Sequence, residues 1–228
     1  MITKEMLRTL CPDSKDDIIE GVAIYFNKYA NDYDVNTPLR IAHFFAQAAH
    51  ETAGFRTLEE YASGAAYEGR KDLGNINKGD GKRHKGRGIF QLTGRANYDK
   101  FGKILGVDLI SNPDLAKNPE ISVRTALSYW KSRNINLNAD KDDIVGATKK
   151  INGGKNGLQD RKNYLRKAKE IYDNLLIQNA LIEKGYDIIA DGRLGRRTTE
   201  AVEDFQTKNG LLPDGIVGMK TKKVLFSS

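Results

Sequence analysis

Cys11 is the only cysteine in 228 residues. A lone thiol excludes an intramolecular disulfide, and with it the stapled scaffold of a small secreted domain. Cys11 sits in an early apolar stretch, the setting of a buried thiol rather than of a nucleophile. Long apolar runs are also missing. None approaches the roughly eighteen residues of a membrane span, so no stable membrane insertion is expected. The first residues, Met1-Ile-Thr-Lys-Glu-Met-Leu-Arg8, lack the basic-then-apolar layout of a secretory signal. The expectation that follows is a protein kept in the cytoplasm where it is made until something else releases it. Histidines number three. His43 and His50 lie seven residues apart and could share a helix face, but His84 is remote. Zinc needs tighter ligand pairs and a third convergent ligand, so neither a metal nor another cofactor is expected.

What remains is the composition of an ordinary soluble globular protein, 39% hydrophobic and 29% charged. The length suits one large domain, or a medium and a small one. A net charge of +7 points to an anionic partner. Nucleic acid, anionic lipid and an acidic wall polymer all qualify. The run Lys82-Arg-His-Lys-Gly-Arg87 fits a nucleic-acid patch or a solvated loop facing an anionic wall equally well.

Apolar periodicity predicts helices over 15–30, 38–50, 94–105, 119–132, 140–151 and 160–177. Thr37 is a plausible N-cap with Pro38 at the first helical position. Trp130, on a helix of apolar period, reads as core. No strands alternate with these helices, which argues against a parallel sheet. Residues 62–88 hold seven glycines and little periodicity, the pattern of a long irregular or hairpin segment. Beyond residue 178 a near-repeat begins. Asp191-Gly-Arg-Leu-Gly-Arg-Arg-Thr198 recurs as Asp214-Gly-Ile-Val-Gly-Met-Lys-Thr221, each copy a pair of turns followed by a helix capped near the Thr. The joint at 174–178 contains no Gly, Pro or Ser, so residues 1–175 and 179–228 should form two closely coupled domains. Val202, Phe205 and Leu225 read as core of the second.

Glu51 and Glu60 lie nine residues apart. Glu51 follows the apolar helical run Ile41, Phe44, Phe45 and Ala48, and Gly54 then breaks the helix. In a continuous helix, nine steps of about 100° would put the two carboxylates on opposite faces. The break lets the chain double back, so that both can line one cleft. Inverting glycoside hydrolysis needs such a pair about 6.5–9.5 Å apart, one protonated and one ionised. Glu51, beside an apolar face that would raise its pKa, is the better acid. Glu60, in a polar segment near Arg56, is the better base, and Glu59 should point away. On spacing alone, both are as readily solvated surface charges. His50 should be packed or hydrogen-bonded beside the acid.

A second cluster is Lys85-Gly-Arg-Gly-Ile-Phe-Gln-Leu-Thr-Gly-Arg-Ala-Asn-Tyr98. Its glycines allow close backbone approach, and Gln91, Thr93 and Asn97 offer groups suited to sugar or water. It lacks the Gly-Lys-Ser/Thr ending of a nucleotide loop. A third, Ile151-Asn-Gly-Gly154 followed by Arg161, reads in isolation as a helix stop.

These clusters, with Asn112-Pro-Asp-Leu115 between them, occur in the order seen in glycoside hydrolase family 19. The chain resembles that family over roughly residues 35–172. The family includes chitinases and lysozyme-like phage endolysins. The resemblance implies a mainly α, lysozyme-like fold with a small β-hairpin and an inverting mechanism. By motif, Glu51 resembles the general acid, Glu60 the general base and Thr93 the hydroxyl that holds the attacking water. Gln91, Asn97, Asn152 and Arg161 resemble sugar ligands. The chain lacks the disulfides and several loops of the plant-type members, which favours the shorter phage-type enzymes. Residues 179–228 resemble a small three-helix peptidoglycan-binding domain. Together these imply a monomeric endolysin that cuts bacterial peptidoglycan, held in a host cytoplasm until released to the wall. Chitin hydrolysis and non-catalytic wall binding are the alternatives; nucleic acid is not expected as a partner.

Overall fold

The computed structural model describes residues 2–227. Its helices in chain order are α1 (Lys4–Leu10), α2 (Asp16–Tyr29), α3 (Pro38–Glu51), α4 (Asp80–Arg83), α5 (Arg95–Leu105), α6 (Pro119–Ser132), α7 (Asn136–Ala139), α8 (Ile144–Asn152), α9 (Leu158–Glu183), α10 (Arg196–Lys208) and α11 (Met219–Leu225). Among the described residues, no helix is long and apolar enough to cross a membrane.

Helix α3 is the centre of the larger unit. The Thr37 hydroxyl accepts from the Arg40 amide, Pro38 opens the helix, and residues from Ala42 to Ala49 are buried. It packs along α9, while α2 packs on α6. Phe26, Phe44, Phe45 and Trp130 fill the space between, with the Phe44 and Trp130 rings 5.4 Å apart. Burying side chains of this size stabilises the fold by roughly 1.5–3 kcal/mol each. Trp130 is wholly enclosed and donates its indole N–H to Asn136 at 2.7 Å. Cys11 is buried too, and desolvation pushes its pKa up to about 12, the condition of an inert thiol.

α3 ends in a tight reversal. Ala53, Gly54 and Phe55 all have positive φ, at 51°, 75° and 57°. Left-handed backbone at the two non-glycine positions costs of order 1–3 kcal/mol each, and the surrounding bonds must hold it. The Thr52 hydroxyl does so, donating to the Ala48 carbonyl at 2.7 Å and accepting from the Phe55 amide at 2.9 Å. The chain thereby turns back along the core towards Glu60.

Residues 62–88 form short turns, two 3-10 segments and α4. Where a small β-hairpin is implied, pairing contracts to two isolated antiparallel bridges, Glu59 with Arg87 and Arg87 with Leu92. Beyond the bridges the Lys85 ammonium donates to the Glu60 and Ala62 carbonyls. The basic run is divided, with Lys82 and Arg83 exposed and His84 and Arg87 buried. Arg83 donates to the Ile110 and Ser111 carbonyls, His84 is buried, and Arg87 is buried against Glu59 and Asp114. Burial opposes the Arg87 charge, but Tyr98 and the two carboxylates hold its pKa above the ordinary value.

α9 runs unbroken through 174–178, as the absence of breakers there predicts. Its last turns join α10 and α11 in a core of their own, built on Leu181, Val202, Phe205 and Leu225. Gly195 and Gly218, not the threonines, cap α10 and α11. Thr198 and Thr221 are buried one turn in because each hydroxyl faces a buried glutamine amide. Gln178 donates to Asp191 at 2.9 Å, the Arg193 carbonyl at 2.9 Å and Thr198 at 3.3 Å, and accepts from the Gly192 amide at 2.8 Å. Gln206 repeats the pattern with Asp214 at 2.8 Å, the Ile216 carbonyl at 3.0 Å, Thr221 at 3.1 Å and the Gly215 amide at 2.9 Å. The sequence repeat is thus a repeated hydrogen-bond unit, and its first copy begins inside α9.

Candidate active site

Glu51 is the last residue of α3, with its side chain 18% exposed. The setting differs from the apolar pocket expected for it. Arg161, from the first turns of α9 and 1% exposed, donates to Glu51 Oε1 at 2.5 Å. The same guanidinium bonds Gln47 Oε1, one turn earlier on α3, and the Asn156 carbonyl at 3.3 Å. Gln47 in turn donates to Thr148 of α8 at 3.1 Å. Arg161 is therefore not the cleft-lining sugar ligand that its motif position implies. It is enclosed behind Glu51 and fixes where that carboxylate stands.

Asn152 is also occupied by its own turn. Its amide donates to the Asn156 carbonyl at 2.9 Å, and its Oδ1 accepts from the Gly154 amide at 2.8 Å. The turn thereby presents the Asn156 carbonyl to Arg161. His50 lies beside the acid as expected, bonded to Asp160 at 2.6 Å. The His50 ring packs so closely that a Cβ at Gly157 (φ +67°) would fall 2.0 Å from it. Only glycine fits there.

Glu60 is half-buried. Its Oε1 accepts from the Gly86 amide at 2.7 Å, and its Oε2 accepts from the Tyr67 hydroxyl at 3.0 Å. Burial, then the Glu60 charge, raise the Tyr67 pKa, so the phenol stays a donor. Arg56 turns instead to the Ala53 carbonyl, and Glu59 faces away into Arg87 and Lys85. A Cβ at Gly86 would lie 2.7 Å from Gln91 Oε1, 3.3 Å from the Glu60 carboxyl carbon and 3.3 Å from Thr93 Oγ1. Glu60, Gln91 and Thr93 thus converge on one point that any side chain at 86 would fill.

The strand-like turn that follows places the remaining candidates. Gln91 has φ +49° and donates to the Gly88 carbonyl at 2.9 Å. Thr93 donates to the Gln91 carbonyl at 2.8 Å, and Asn97 to the Thr93 carbonyl at 2.8 Å. Gln91, Thr93 and Asn97 line one side of a pocket of about 230 Å³, with Phe90, Tyr129 and Ile151 among the residues around it. Burial raises the Tyr129 pKa, Arg133 opposes this and the Glu51 carboxylate adds to it. Neither carboxylate lines the pocket itself; Glu60 stands beside Gly86, Gln91 and Thr93 next to it. A pair of carboxyl groups, one protonated and one ionised, is the chemistry that can deliver a proton to a glycosidic oxygen and activate water.

Sequence reasoning missed Gln47, Tyr67 and Tyr129. Gln47 left a signal, an amide within the buried stretch Ala42–Ala49 of α3, four residues before Glu51. Tyr67 and Tyr129 left none. Among the described residues, no three His, Cys, Asp or Glu side chains converge as metal ligands.

The family model described as chitinase class I, that of glycoside hydrolase family 19, matches residues 14–155. That of the peptidoglycan binding domain matches residues 173–225. A glycosyl hydrolase family 19 domain-containing protein of Haemophilus influenzae is 33% identical over 151 residues, covering 53% of this chain and 74% of that protein. Acidic endochitinase Q of Nicotiana tabacum is 37% identical over 108 residues, 46% of this chain and 40% of its own length. Chitinase C from Streptomyces griseus HUT6037 shares the fold, with a TM-score of 0.64 at 22% identity, covering 75% of this chain and 76% of that one.

Proposed function

Because the chain belongs to glycoside hydrolase family 19, we propose that it is an endolysin that hydrolyses the β-1,4 bonds of bacterial peptidoglycan with inversion. The observation that carries the substrate is the second unit. A peptidoglycan-binding domain is joined to the hydrolase through the single helix α9. In this reading Glu51 protonates the leaving oxygen while Arg161 holds it in place. Glu60, oriented by Tyr67 and the Gly86 amide, takes a proton from water, and the Thr93 hydroxyl helps to hold that water. Gln91 and Asn97 bond the sugar. No covalent intermediate forms, and the product carries the inverted anomeric configuration. The basic charge favours approach to an anionic envelope and is weakened by salt. The enzyme acts as a monomer, retained in the host cytoplasm until another protein opens the membrane.

A second reading keeps the chemistry and changes the polymer. Tobacco acidic endochitinase Q and its similar plant endochitinases favour chitin. Mass spectrometry of products from purified peptidoglycan and from colloidal chitin separates the two, since the new reducing sugar identifies the bond. Glu51→Gln tests the chemistry itself. Removing a general acid lowers the rate by about 10²–10⁴-fold, with wall binding intact. A Glu51→Gln variant that lyses walls at the wild-type rate would remove Glu51 from the mechanism.

A further inference from the structure

Part of the pocket wall comes from one face of α6 and the residue just past its end. Thr125, Tyr129 and Arg133 follow one another at four-residue steps, so they project in the same direction. Each presents different chemistry. Thr125 is 9% exposed, and its hydroxyl is buried in the pocket with no hydrogen-bond partner among the described residues. A buried hydroxyl without a partner costs about 1–3 kcal/mol, so its presence marks a place where a ligand atom completes the bond. Tyr129 is fixed by its own hydroxyl, which donates to the Lys150 and Ile151 carbonyls at 3.0 and 3.2 Å. Arg133, just past the end of α6, is exposed at the solvent edge, with its guanidinium 5.2 Å from the Tyr129 ring centre.

No Asp or Glu lines this pocket. Its other cation, Arg87, is buried and already paired with Glu59 and Asp114. Arg133 differs because it is exposed and sits over an aromatic ring. A guanidinium resting over a ring loses less freedom on binding than a free one and matches a carboxylate with two parallel N–H donors. A neutral amino-sugar polymer offers it nothing to pair with. The muramic sugar of peptidoglycan does, because its 3-O-lactyl substituent ends in a carboxylate or continues into a peptide that bears carboxylates.

We propose that Arg133 is a specificity-determining residue that takes a carboxylate carried on the 3-O substituent of a sugar seated in this pocket, while Thr125 bonds that sugar in its depth. The inference rests on the peptidoglycan reading and deepens it. It makes the hydrolase cleft, and not the C-terminal domain alone, the part that distinguishes wall glycan from chitin.

The test compares kcat/KM on three soluble substrates: peptide-bearing peptidoglycan strands, strands stripped of peptide by an amidase, and chitooligosaccharide of matched length. The readout is the ratio of each anionic substrate to the neutral one. In Arg133→Gln this ratio falls about tenfold, the effect of one lost charge-assisted hydrogen bond. In Arg133→Lys it falls less, because charge remains and the fork is lost. A fall confined to peptide-bearing strands assigns the carboxylate to the peptide, and one confined to stripped strands assigns it to the lactyl group. A ratio that stays within about twofold of wild type on both anionic substrates overturns the proposal. So does an equal loss in the Gln and Lys variants on all three substrates, which would give Arg133 a purely structural role. Wild-type enzyme that cleaves chitooligosaccharide but neither wall substrate removes the peptidoglycan reading itself, and Arg133's role with it.

Discussion

Arg161 near the start of α9 and Gln178 near its end are both buried, and each ties together segments far apart in the chain. Arg161 joins α9 to Glu51, Gln47 and the Asn156 turn. Gln178 joins α9 to the Asp191–Arg193 turn and to Thr198 of α10. One side chain is charged and its arrangement occurs once. The other is neutral, and Gln206 repeats it one helix later. The difference follows from what burial demands of each. A neutral amide is satisfied by backbone groups that any tight turn supplies, so the unit can be duplicated at little electrostatic cost. A buried guanidinium needs a specific counter-charge in a specific place, and here that counter-charge is the candidate acid.

Removing Arg161 tests the first half of this contrast and should have the largest effect. Arg161→Ala removes the donor to the Glu51 carboxylate and to Gln47 Oε1, and costs about 3–5 kcal/mol by urea denaturation. Hydrolysis should fall further than the stability loss explains, with Arg161→Lys recovering part of it. If Arg161→Ala retains full activity on folded protein, the residue does not position Glu51. The second half predicts equality. Gln178→Ala and Gln206→Ala should each destabilise by about 2 kcal/mol, because each abandons the same set of partners. Both should weaken retention on purified walls. A Gln178 variant that costs far more than its Gln206 counterpart would break the equivalence of the two copies.

The smallest effect expected is in pH dependence, and it belongs to the hydrolase end alone. All three histidines of the chain precede residue 85. Burial lowers the pKa of His43 despite the opposing pull of Asp142, and Lys169 adds to the lowering. Burial also lowers that of His84 despite Asp80, with Arg95 and Arg83 acting in the same direction as burial. Depressed pKa values mean that the neutral forms stabilise the fold fully above about 6.5 and that this contribution is lost as pH falls through the folded values. The thermal midpoint should therefore decline between about pH 7 and 5, and His84→Phe should flatten the decline. A midpoint independent of pH over that window would show that neither ring is held neutral.

Much of this was legible because it is written locally. Thr37-Pro38 set the start of α3, Gly54 its end, and the missing breakers at 174–178 the continuity of α9. Trp130 and Phe205 announced themselves as core by periodicity. The site was legible only in its membership. Gln91 and Thr93 could be named from motif, but their meeting with Glu60 depends on the space left by the missing side chain of Gly86. Arg161 was assigned to the cleft because a motif gives residue type and order, not depth. Its partners Gln47 and Glu51 lie 114 and 110 residues away. A Thr after two turns reads as a cap, and only the buried Gln178 opposite explains why Thr198 lies a turn further in.

The uninterrupted course of α9 makes the molecule a ruler. Arg161 and Gln178 are seventeen residues apart on one rigid rod, a span of about 26 Å along its axis. If the C-terminal unit anchors the protein to a polymer, a continuous helix leaves no slack between that anchor and the candidate acid. On the proposed peptidoglycan reading, the bond cut would lie at a set reach from the point of attachment, so that cutting further along a strand would require the anchor to rebind.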